Sequence, residues 1–188
     1  MVKVHLCCGK RNFGEHWIHV DGAKDNESDE KKHFAHILYH DVTKLSFEDN
    51  SVDLIYCAHG IAYWDRHEIL DILTEWRRVL KPGGMLRIAT PDIEAMMKLY
   101  FEKQYLLTSF LGPMYGKMEM SNATIYHKTV YDFKSLLAIL MMSKFKDIKR
   151  YDWRLTEHAK HDDHSQSYLP HMNKETGTLI SLNVECIK

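Results

Sequence analysis

The chain has 188 residues, of which 45% are hydrophobic and 27% are charged, and its formal net charge at pH 7 is −1. This balance predicts one globular domain over residues 1–188, and the near-neutral charge argues against a nucleic-acid partner. Apolar runs stay well below the ~18 residues that a membrane span needs, so we expect no membrane partner, no signal peptide and a cytoplasmic location.

The chain opens with two short predicted strands joined by a glycine turn. Lys3–Cys7 and Trp17–Val20 are the strands, Gly9 follows the first and Asp21 follows the second. A glycine there lets a ligand approach the backbone, and an acid after the second strand can accept ribose hydroxyls. Only Gly14 recurs between them, so the G-x-G-x-x-G pyrophosphate pattern is absent. This predicts a nucleoside site without a pyrophosphate, and S-adenosylmethionine (SAM) is the cofactor we expect.

Strand and helix signals then alternate. The sequence predicts further strands over Ala35–Tyr39, Val52–Cys57 and Met85–Ala89, and an amphipathic helix over Asp65–Leu80. Pro91-Asp92 ends the last of these strands and begins another helix. Such alternation predicts an α/β fold, a Rossmann-like three-layer sandwich around a mostly parallel sheet.

After Tyr105 the pattern loosens. We expect residues 1–105 to form the cofactor-binding half and residues 106–188 the acceptor-binding half. Leu106–Thr129 has no clear period, which predicts a long functional loop or lid. Arg154–Gly177 is polar and rich in histidine. The remaining predicted elements are an apolar helix and a closing pair of strands: Tyr131–Ser143, Lys146–Trp153 and Thr178–Ile187.

Short segments along nearly the whole chain carry a family resemblance. They are Leu6-Cys-Cys-Gly9, Asp21, His40-Asp-Val42, Asn50-Ser-Val-Asp53, Trp76-Arg-Arg-Val-Leu-Lys-Pro-Gly-Gly84, Pro91-Asp92, Tyr115-Gly-Lys117, His127-Lys128, Asp162-Asp163 and Ile180-Ser-Leu-Asn-Val184. The chain resembles class I SAM-dependent methyltransferases and, more narrowly, the small methyltransferases of glycan biosynthesis. The resemblance implies a seven-stranded sheet with an antiparallel last strand. It also implies SAM lying over the carboxyl ends of strands one, two and four.

The strand ends and the resemblance together predict the cofactor contacts. We expect Asp41 to accept the adenine amine, with the Val42 amide donating to a ring nitrogen, although Asp41 also suits a turn. Gly9 faces the methionyl part of SAM and Asp21 its ribose. The complete predicted set is Cys8, Gly9, Asp21, Asp41, Val42, Ala58 and His59.

Three residues are candidates for the catalytic groups. His59 comes just past strand four, near the expected position of the reactive methyl, and an imidazole suits removal of a hydroxyl proton. A structural histidine is the alternative there. Asp92 could orient the acceptor or serve as a base, or it could cap a helix. His127 is a second candidate for the base.

The acceptor is expected to meet residues of the second half. The predicted contacts are Tyr115, His161, Asp162 and Asp163. The segment His158–His164 could also hold a divalent cation, but we expect acceptor contact and no resident metal. The four cysteines lack C-x-x-C spacing, which disfavours a thiolate zinc site.

These observations predict transfer of a methyl group to a hydroxyl of a small polar acceptor, a sugar of a glycan or nucleotide-sugar. One departure from the family pattern matters, because Ala62 and Tyr63 stand where related proteins carry a Glu-His pair. A non-catalytic SAM-binding protein of a glycosylation pathway therefore stays an alternative. An NAD-dependent oxidoreductase is disfavoured by the missing glycines. A homodimer and an association with a glycosyltransferase are both open.

Overall fold

The computed structural model describes residues 1–22, 34–119 and 123–188. The charged run Lys24–Lys32, for which the sequence predicts a solvated helix or loop, lies outside the described residues. The described strands are β1 (Lys3–Leu6), β2 (Trp17–Asp21), β3 (Ile37–Tyr39), β4 (Val52–Ala58), β5 (Leu80–Pro91), β6 (Met118–Glu119), β7 (Thr124–Ile125), β8 (Lys146–Arg150), β9 (Tyr168–Leu169), β10 (Thr178–Leu179) and β11 (Ser181–Ile187). The described α-helices are α1 (Ile69–Val79), α2 (Ile93–Lys103), α3 (Thr108–Tyr115) and α4 (Phe133–Met142).

One seven-stranded sheet carries the fold, in the order β3-β2-β1-β4-β5-β11-β8. The five strands from β3 to β5 run parallel, and β11 runs antiparallel to both β5 and β8. The predicted Rossmann-like α/β fold, with its antiparallel last strand, is confirmed. Because β8 and β11 complete the same sheet, the second half of the chain shares its framework with the first. The boundary between a cofactor half and an acceptor half stays a prediction.

The strand order reverses between β1 and β4. The chain runs outward from β1 to β2 and β3, then returns to place β4 on the other side of β1, with Leu6 opposite Cys57. Ligands of open α/β sheets bind at such a reversal, outside the carboxyl ends of the strands. The segments that follow Leu6 and Ala58 therefore meet at this edge.

The aliphatic core is fixed to the site edge through helix α1. Its apolar face, which includes Ile69, Leu73 and Trp76, is buried. The Trp76 indole Nε1 donates a hydrogen bond to the Val42 carbonyl at 2.8 Å. The chain after β3 is thereby held to the helix. None of the described helices combines the length and the apolar character that crossing a membrane requires.

A second cluster is built from aromatic rings and imidazoles. The Phe13 ring stacks on His5 at 4.2 Å, on His161 at 4.9 Å and on His158 at 5.2 Å between ring centroids. The Tyr56 ring lies 4.1 Å from His158. We call His5, Phe13, Tyr56, His158 and His161 the imidazole cluster. It packs segments from both ends of the chain together.

Two segments depart furthest from the prediction. β5 begins at Leu80 rather than Met85, because Leu80 already pairs with Val52; the register with β4 then shifts across Lys81–Gly84, and pairing resumes at Met85. Within Leu106–Thr129, the described residues form helix α3 and the antiparallel pair of β6 and β7 instead of one continuous loop. Helix α3 forms despite its Gly112-Pro113 pair because Phe110 is buried among Met96, Leu99, Leu169 and Ile180.

Candidate active site

The turn after β1 is tied to the end of β2. Asp21 Oδ2 accepts a hydrogen bond from the Gly9 N–H at 2.8 Å. Gly9 has a φ of +57°, which a residue with a side chain adopts only with strain. No helix lies between the two strands, so residues 7–16 form a short connection. Asp21 therefore shapes the turn that is expected to face the cofactor.

Two residues without glycine's freedom adopt left-handed backbone at this edge. Cys7 has a φ of 52° and His59 a φ of 56°, and they directly follow β1 and β4. Such values are uncommon outside glycine and concentrate at binding sites. A Cβ on the next glycine, Gly60, would lie 2.5 Å from Cys57 Sγ and 2.7 Å from Cys7 Sγ. The two turns are thus packed directly against each other.

Asp41 follows β3 at the same edge. Its Oδ1 accepts hydrogen bonds from the Thr43 hydroxyl at 2.6 Å and the Thr43 N–H at 2.8 Å. These bonds lower the pKa of Asp41, so the carboxylate is ionised at neutral pH. Asp41 is exposed and closes a turn, while the Val42 side chain is buried. Its role toward an adenine stays a prediction.

His59 is oriented by a chain of hydrogen bonds from β11. The Asn183 side-chain amide donates to the Ser165 carbonyl at 2.9 Å, so its oxygen faces Ser181. The Ser181 hydroxyl donates to that oxygen at 2.9 Å, and His59 Nε2 lies 3.3 Å from the hydroxyl oxygen. Since the Ser181 proton is already used, Nε2 must carry the hydrogen. The lone pair of His59 then resides on Nδ1.

The surroundings of His59 keep its imidazole neutral. Burial is the first cause that lowers the pKa of His59 well below its usual value, and neighbouring His164, His127 and Arg11 lower it further. The His164 ring stacks on His59 with 5.0 Å between centroids. At neutral pH the imidazole is thus an acceptor, which is the form that a base requires.

Asp92, the second catalytic candidate, begins α2. Its Oδ1 accepts hydrogen bonds from the Glu94 and Ala95 N–H groups, and its Oδ2 accepts one from Arg150 at 3.1 Å. The side chain is buried. Both oxygens are therefore engaged in capping and pairing. The structure gives Asp92 the cap position that the sequence left as its alternative.

His127, the third candidate, packs where the family pattern is broken. Its ring lies 4.6 Å from the Tyr63 ring, and its Nδ1 is 3.2 Å from the Pro113 and Met114 carbonyls. The Tyr63 hydroxyl in turn donates to the Gly116 carbonyl. Tyr63 and His127 thus hold the end of α3 and the following hairpin against the short turn after β4.

The four residues predicted to contact the acceptor differ in their exposure to solvent. Tyr115 is exposed at the end of α3, and Asp162 is exposed and paired with Lys174 at 2.8 Å. His161 stacks in the imidazole cluster. Asp163 is buried, and its oxygens accept hydrogen bonds from the Tyr56 hydroxyl at 2.6 Å and from Ser165. Asp163 therefore faces the protein interior.

The residues present fit a nucleoside cofactor. Gly9 and His59 supply two turns at the strand reversal, and Cys8 and Ala58 are the buried neighbours of those turns. Asp21 supplies a carboxylate at the end of β2. Within the described ranges, no group of three or more His, Cys, Asp and Glu side chains is arranged to hold a metal ion.

Sequence reasoning missed the residues that reach the site from far along the chain. Ser181 and Asn183 orient His59 from β11, His164 stacks on it, and the charge of Arg11 contributes to lowering its pKa. One signal was present, because the polar Ser181 and Asn183 alternate with the buried apolar Leu182 and Val184 on β11. Polar side chains on one face of a buried strand need partners.

Comparisons with known proteins agree with this geometry. Residues 11–88 match the family model described as a methyltransferase domain. The chain is 28% identical over 131 residues to the demethylmenaquinone methyltransferase of Staphylococcus haemolyticus, covering 65% of this chain and 49% of that protein. It is 30% identical over 113 residues to the enzyme of the same name from Staphylococcus saprophyticus, covering 57% of this chain and 43% of that protein. The chain thus spans about half the length of these relatives.

Solved structures share the fold over the whole chain. A SAM-dependent methyltransferase from Archaeoglobus fulgidus has a TM-score of 0.56 at 15% identity, covering 99% of this chain and 85% of that one. A SAM-dependent methyltransferase from Methanosarcina mazei has a TM-score of 0.56 at 18% identity, covering 99% and 91%. Residues 11–88 therefore match a methyltransferase domain, and the whole chain shares its fold with SAM-dependent methyltransferases of known structure.

Proposed function

We propose that this protein transfers the methyl group of SAM to a hydroxyl of a small acceptor, with His59 as the base. The observation that carries the proposal is the hydrogen-bond chain through Asn183 and Ser181, which leaves Nδ1 of a neutral His59 as the basic nitrogen. This imidazole follows β4, at the strand reversal where the cofactor is expected to lie.

The residues of the chain then have separate tasks. When bound, SAM supplies an electrophilic methyl on a sulfonium, whose C–S bond breaks as the acceptor oxygen bonds to that carbon. His59 Nδ1 takes the hydroxyl proton and, through Nε2, stays fixed on Ser181. A positioned base contributes about 10²–10⁴-fold to such a step. Asp21 and the Gly9 turn hold the nucleoside and methionyl parts.

A polar acceptor, a sugar hydroxyl of a glycan or nucleotide-sugar, is our first proposal for the substrate. It is supported by His164 and Asp162, which are exposed beside the His59 edge. The burial of Asp163 and the stacking of His161 leave fewer polar groups for an acceptor than the sequence predicts. Assembly with a second copy or a glycosyltransferase is part of the same proposal.

An apolar acceptor is the second candidate. Helices α2 and α3 and the link between them expose Phe101 by 70%, Leu106 by 74% and Leu107 by 58%. Monomeric proteins seldom expose such neighbouring apolar side chains without a use for them. The relatives named above are demethylmenaquinone methyltransferases. A quinol, the reduced form of a quinone, that carries an apolar chain is therefore the acceptor to compare with sugars.

Calorimetric titration with S-adenosylhomocysteine tests the cofactor part of the proposal. We expect binding by the unchanged protein and a loss of about tenfold or more in Asp21→Asn, because the ribose then loses a charged acceptor. Asp162→Asn is the matched control, since it removes an exposed acid at the rim. NADH is expected not to bind. A folded protein that ignores S-adenosylhomocysteine would overturn the proposal.

Product formation separates the two acceptors. Labelled SAM is incubated with nucleotide-sugars or with a demethylated quinol in detergent, the reduced form of the quinone that carries the hydroxyl, and the labelled product is isolated. Transfer to the sugar supports the first substrate, and transfer to the quinol supports the second. The non-catalytic alternative would be favoured if the unchanged protein binds the cofactor but methylates neither acceptor faster than His59→Gln does.

A further inference from the structure

Arg11 is a cation placed at the methionyl end of the proposed cofactor site. It lies two residues beyond Gly9, and its Nη1 is 3.8 Å from the position that a Cβ on Gly9 would take. Its Nε donates a hydrogen bond to the Asp162 carbonyl at 3.2 Å. As a residue Arg11 is half-buried, and its Nε contact joins the first turn of the chain to the segment around Asp162.

The acids closest to Arg11 along that segment are turned away from it. The Asp162 carboxylate pairs with Lys174 at 2.8 Å. The Asp163 carboxylate points inward to Tyr56 and Ser165. Among the described residues, no carboxylate lies within ion-pair distance of Arg11, and its two terminal nitrogens have no hydrogen-bond acceptor.

Three imidazoles lie within electrostatic range of the guanidinium. The charge of Arg11 contributes to lowering the pKa of His5, His59 and His164, after burial as the first cause. Neutral imidazoles do not neutralise a cation. The two terminal nitrogens of Arg11 are therefore open to a ligand that carries a carboxylate.

We propose that Arg11 binds the carboxylate of the methionyl group of SAM. The inference rests on the proposed function, because Gly9 faces that part of the cofactor there. A guanidinium presents two parallel donors that match a carboxylate, and the pair is shorter and stronger than a neutral hydrogen bond. Arg11 thereby links cofactor binding to the segment that carries Asp162 and His164.

A thermodynamic cycle tests this contact without requiring turnover. Calorimetry compares S-adenosylhomocysteine with S-adenosyl-3-thiopropylamine, which lacks only the carboxylate, for the unchanged protein and for Arg11→Gln. We expect Arg11→Gln to weaken S-adenosylhomocysteine about 10- to 100-fold and the decarboxylated ligand less than about threefold. Arg11→Lys should fall between, because it keeps the charge and loses the fork. Lys10→Gln, an exposed change of the same charge, is the control.

The outcomes are distinguishable. Equal weakening of both ligands by Arg11→Gln would overturn the inference, since Arg11 would then act only through its bond to the Asp162 carbonyl. Unchanged affinity for both ligands would also overturn it. Thermal unfolding of each variant without ligand shows whether it is folded. Binding of neither ligand by the unchanged protein would instead remove the proposed function on which the inference rests.

Discussion

At the residue scale, the orientation and the tautomer of His59 depend on side chains far from it in sequence. Ser181 is 122 residues away from His59, and Asn183 follows on the same face of β11. The carbonyl of Ser165 fixes the direction of every hydrogen bond in the chain, because a carbonyl can only accept. The identity of the basic nitrogen is therefore a property of β11 as much as of His59.

The first prediction concerns the pH dependence of methyl transfer. Since the pKa of His59 is lowered below 6.5, the base stays deprotonated at neutral pH, and activity should fall only below pH 6.5. His59→Gln should reduce kcat by about 10²–10⁴-fold and abolish this acidic limb. Steady-state rates with labelled SAM from pH 5 to 8 provide the measurement. An unchanged profile in His59→Gln would show that another group is the base.

Residues at strand ends could be predicted from the sequence, and residues that meet them across the fold could not. Gly9, Asp21 and His59 were predicted as site residues because each lies at the end of a recognisable strand, and the structure places all three at the expected sheet edge. Arg11 and Asn183 were not, because their importance depends on contacts between segments more than a hundred residues apart. Asp163 was predicted to contact the acceptor, but its carboxylate accepts a hydrogen bond from the buried Tyr56 hydroxyl.

At the element scale, the end of α3 is fixed by a glycine packed on an imidazole. Gly116 has a φ of +50°, and a Cβ there would overlap the His127 ring. That contact, with the Tyr63 hydroxyl on the Gly116 carbonyl, positions α3 and the β6–β7 hairpin over the turn after β4. The pair Ala62-Tyr63, which departs from the family pattern, thus serves to anchor this element.

The second prediction compares two glycines of this element. Gly116→Ala should destabilise the protein by about 1–3 kcal/mol, through left-handed strain and displacement of His127. Gly112→Ala is the matched control, because its added Cβ meets no atom within 4 Å and alanine favours a helix. Urea unfolding measures both free energies. Equal stability of the two variants would contradict the packing described for Gly116.

The sequence predicted elements with a clear period better than elements held by packing. Helix α1 and the strands β1, β2 and β4 were found within a few residues because apolar positions repeat along them. The segment Leu106–Thr129 has no such period, and α3 exists because Phe110 has a buried place to pack. Tertiary contacts determine the secondary structure of such segments, and local sequence does not reveal those contacts.

At the scale of the whole molecule, packing in the imidazole cluster favours the neutral form of His5 and His158, and the adjacent His19 is held neutral as well. The Phe13 N–H donates to His19 Nε2 at 2.8 Å, which requires that nitrogen to be unprotonated. Burial lowers the pKa of His5 and His19, and lowers that of His158 to about 4. Asp163 and Glu157 oppose the shift at His158, and Arg87 and His161 add to it.

The third prediction follows from the sign of these shifts. The unfolded chain binds protons at histidine near pH 6.5 while the folded cluster does not, so stability falls as pH decreases from 6.5 toward 4. His158 alone should account for about 2 kcal/mol by pH 5. Urea unfolding at pH 7, 6 and 5 measures the slope. His158→Phe should flatten it, and an unchanged slope would contradict the assignment.

The placement of Asp162 over Arg11 also bears on how the protein is made. These two residues are 151 positions apart, and the segment that carries Asp162 is held between β8 and β11. On the ribosome, the floor of the site around Gly9 and Asp21 emerges early, whereas its cover requires β11 to have entered between β5 and β8. If Arg11 binds the cofactor as proposed, a nascent chain gains that contact in its final form only after β11 has been synthesised and inserted.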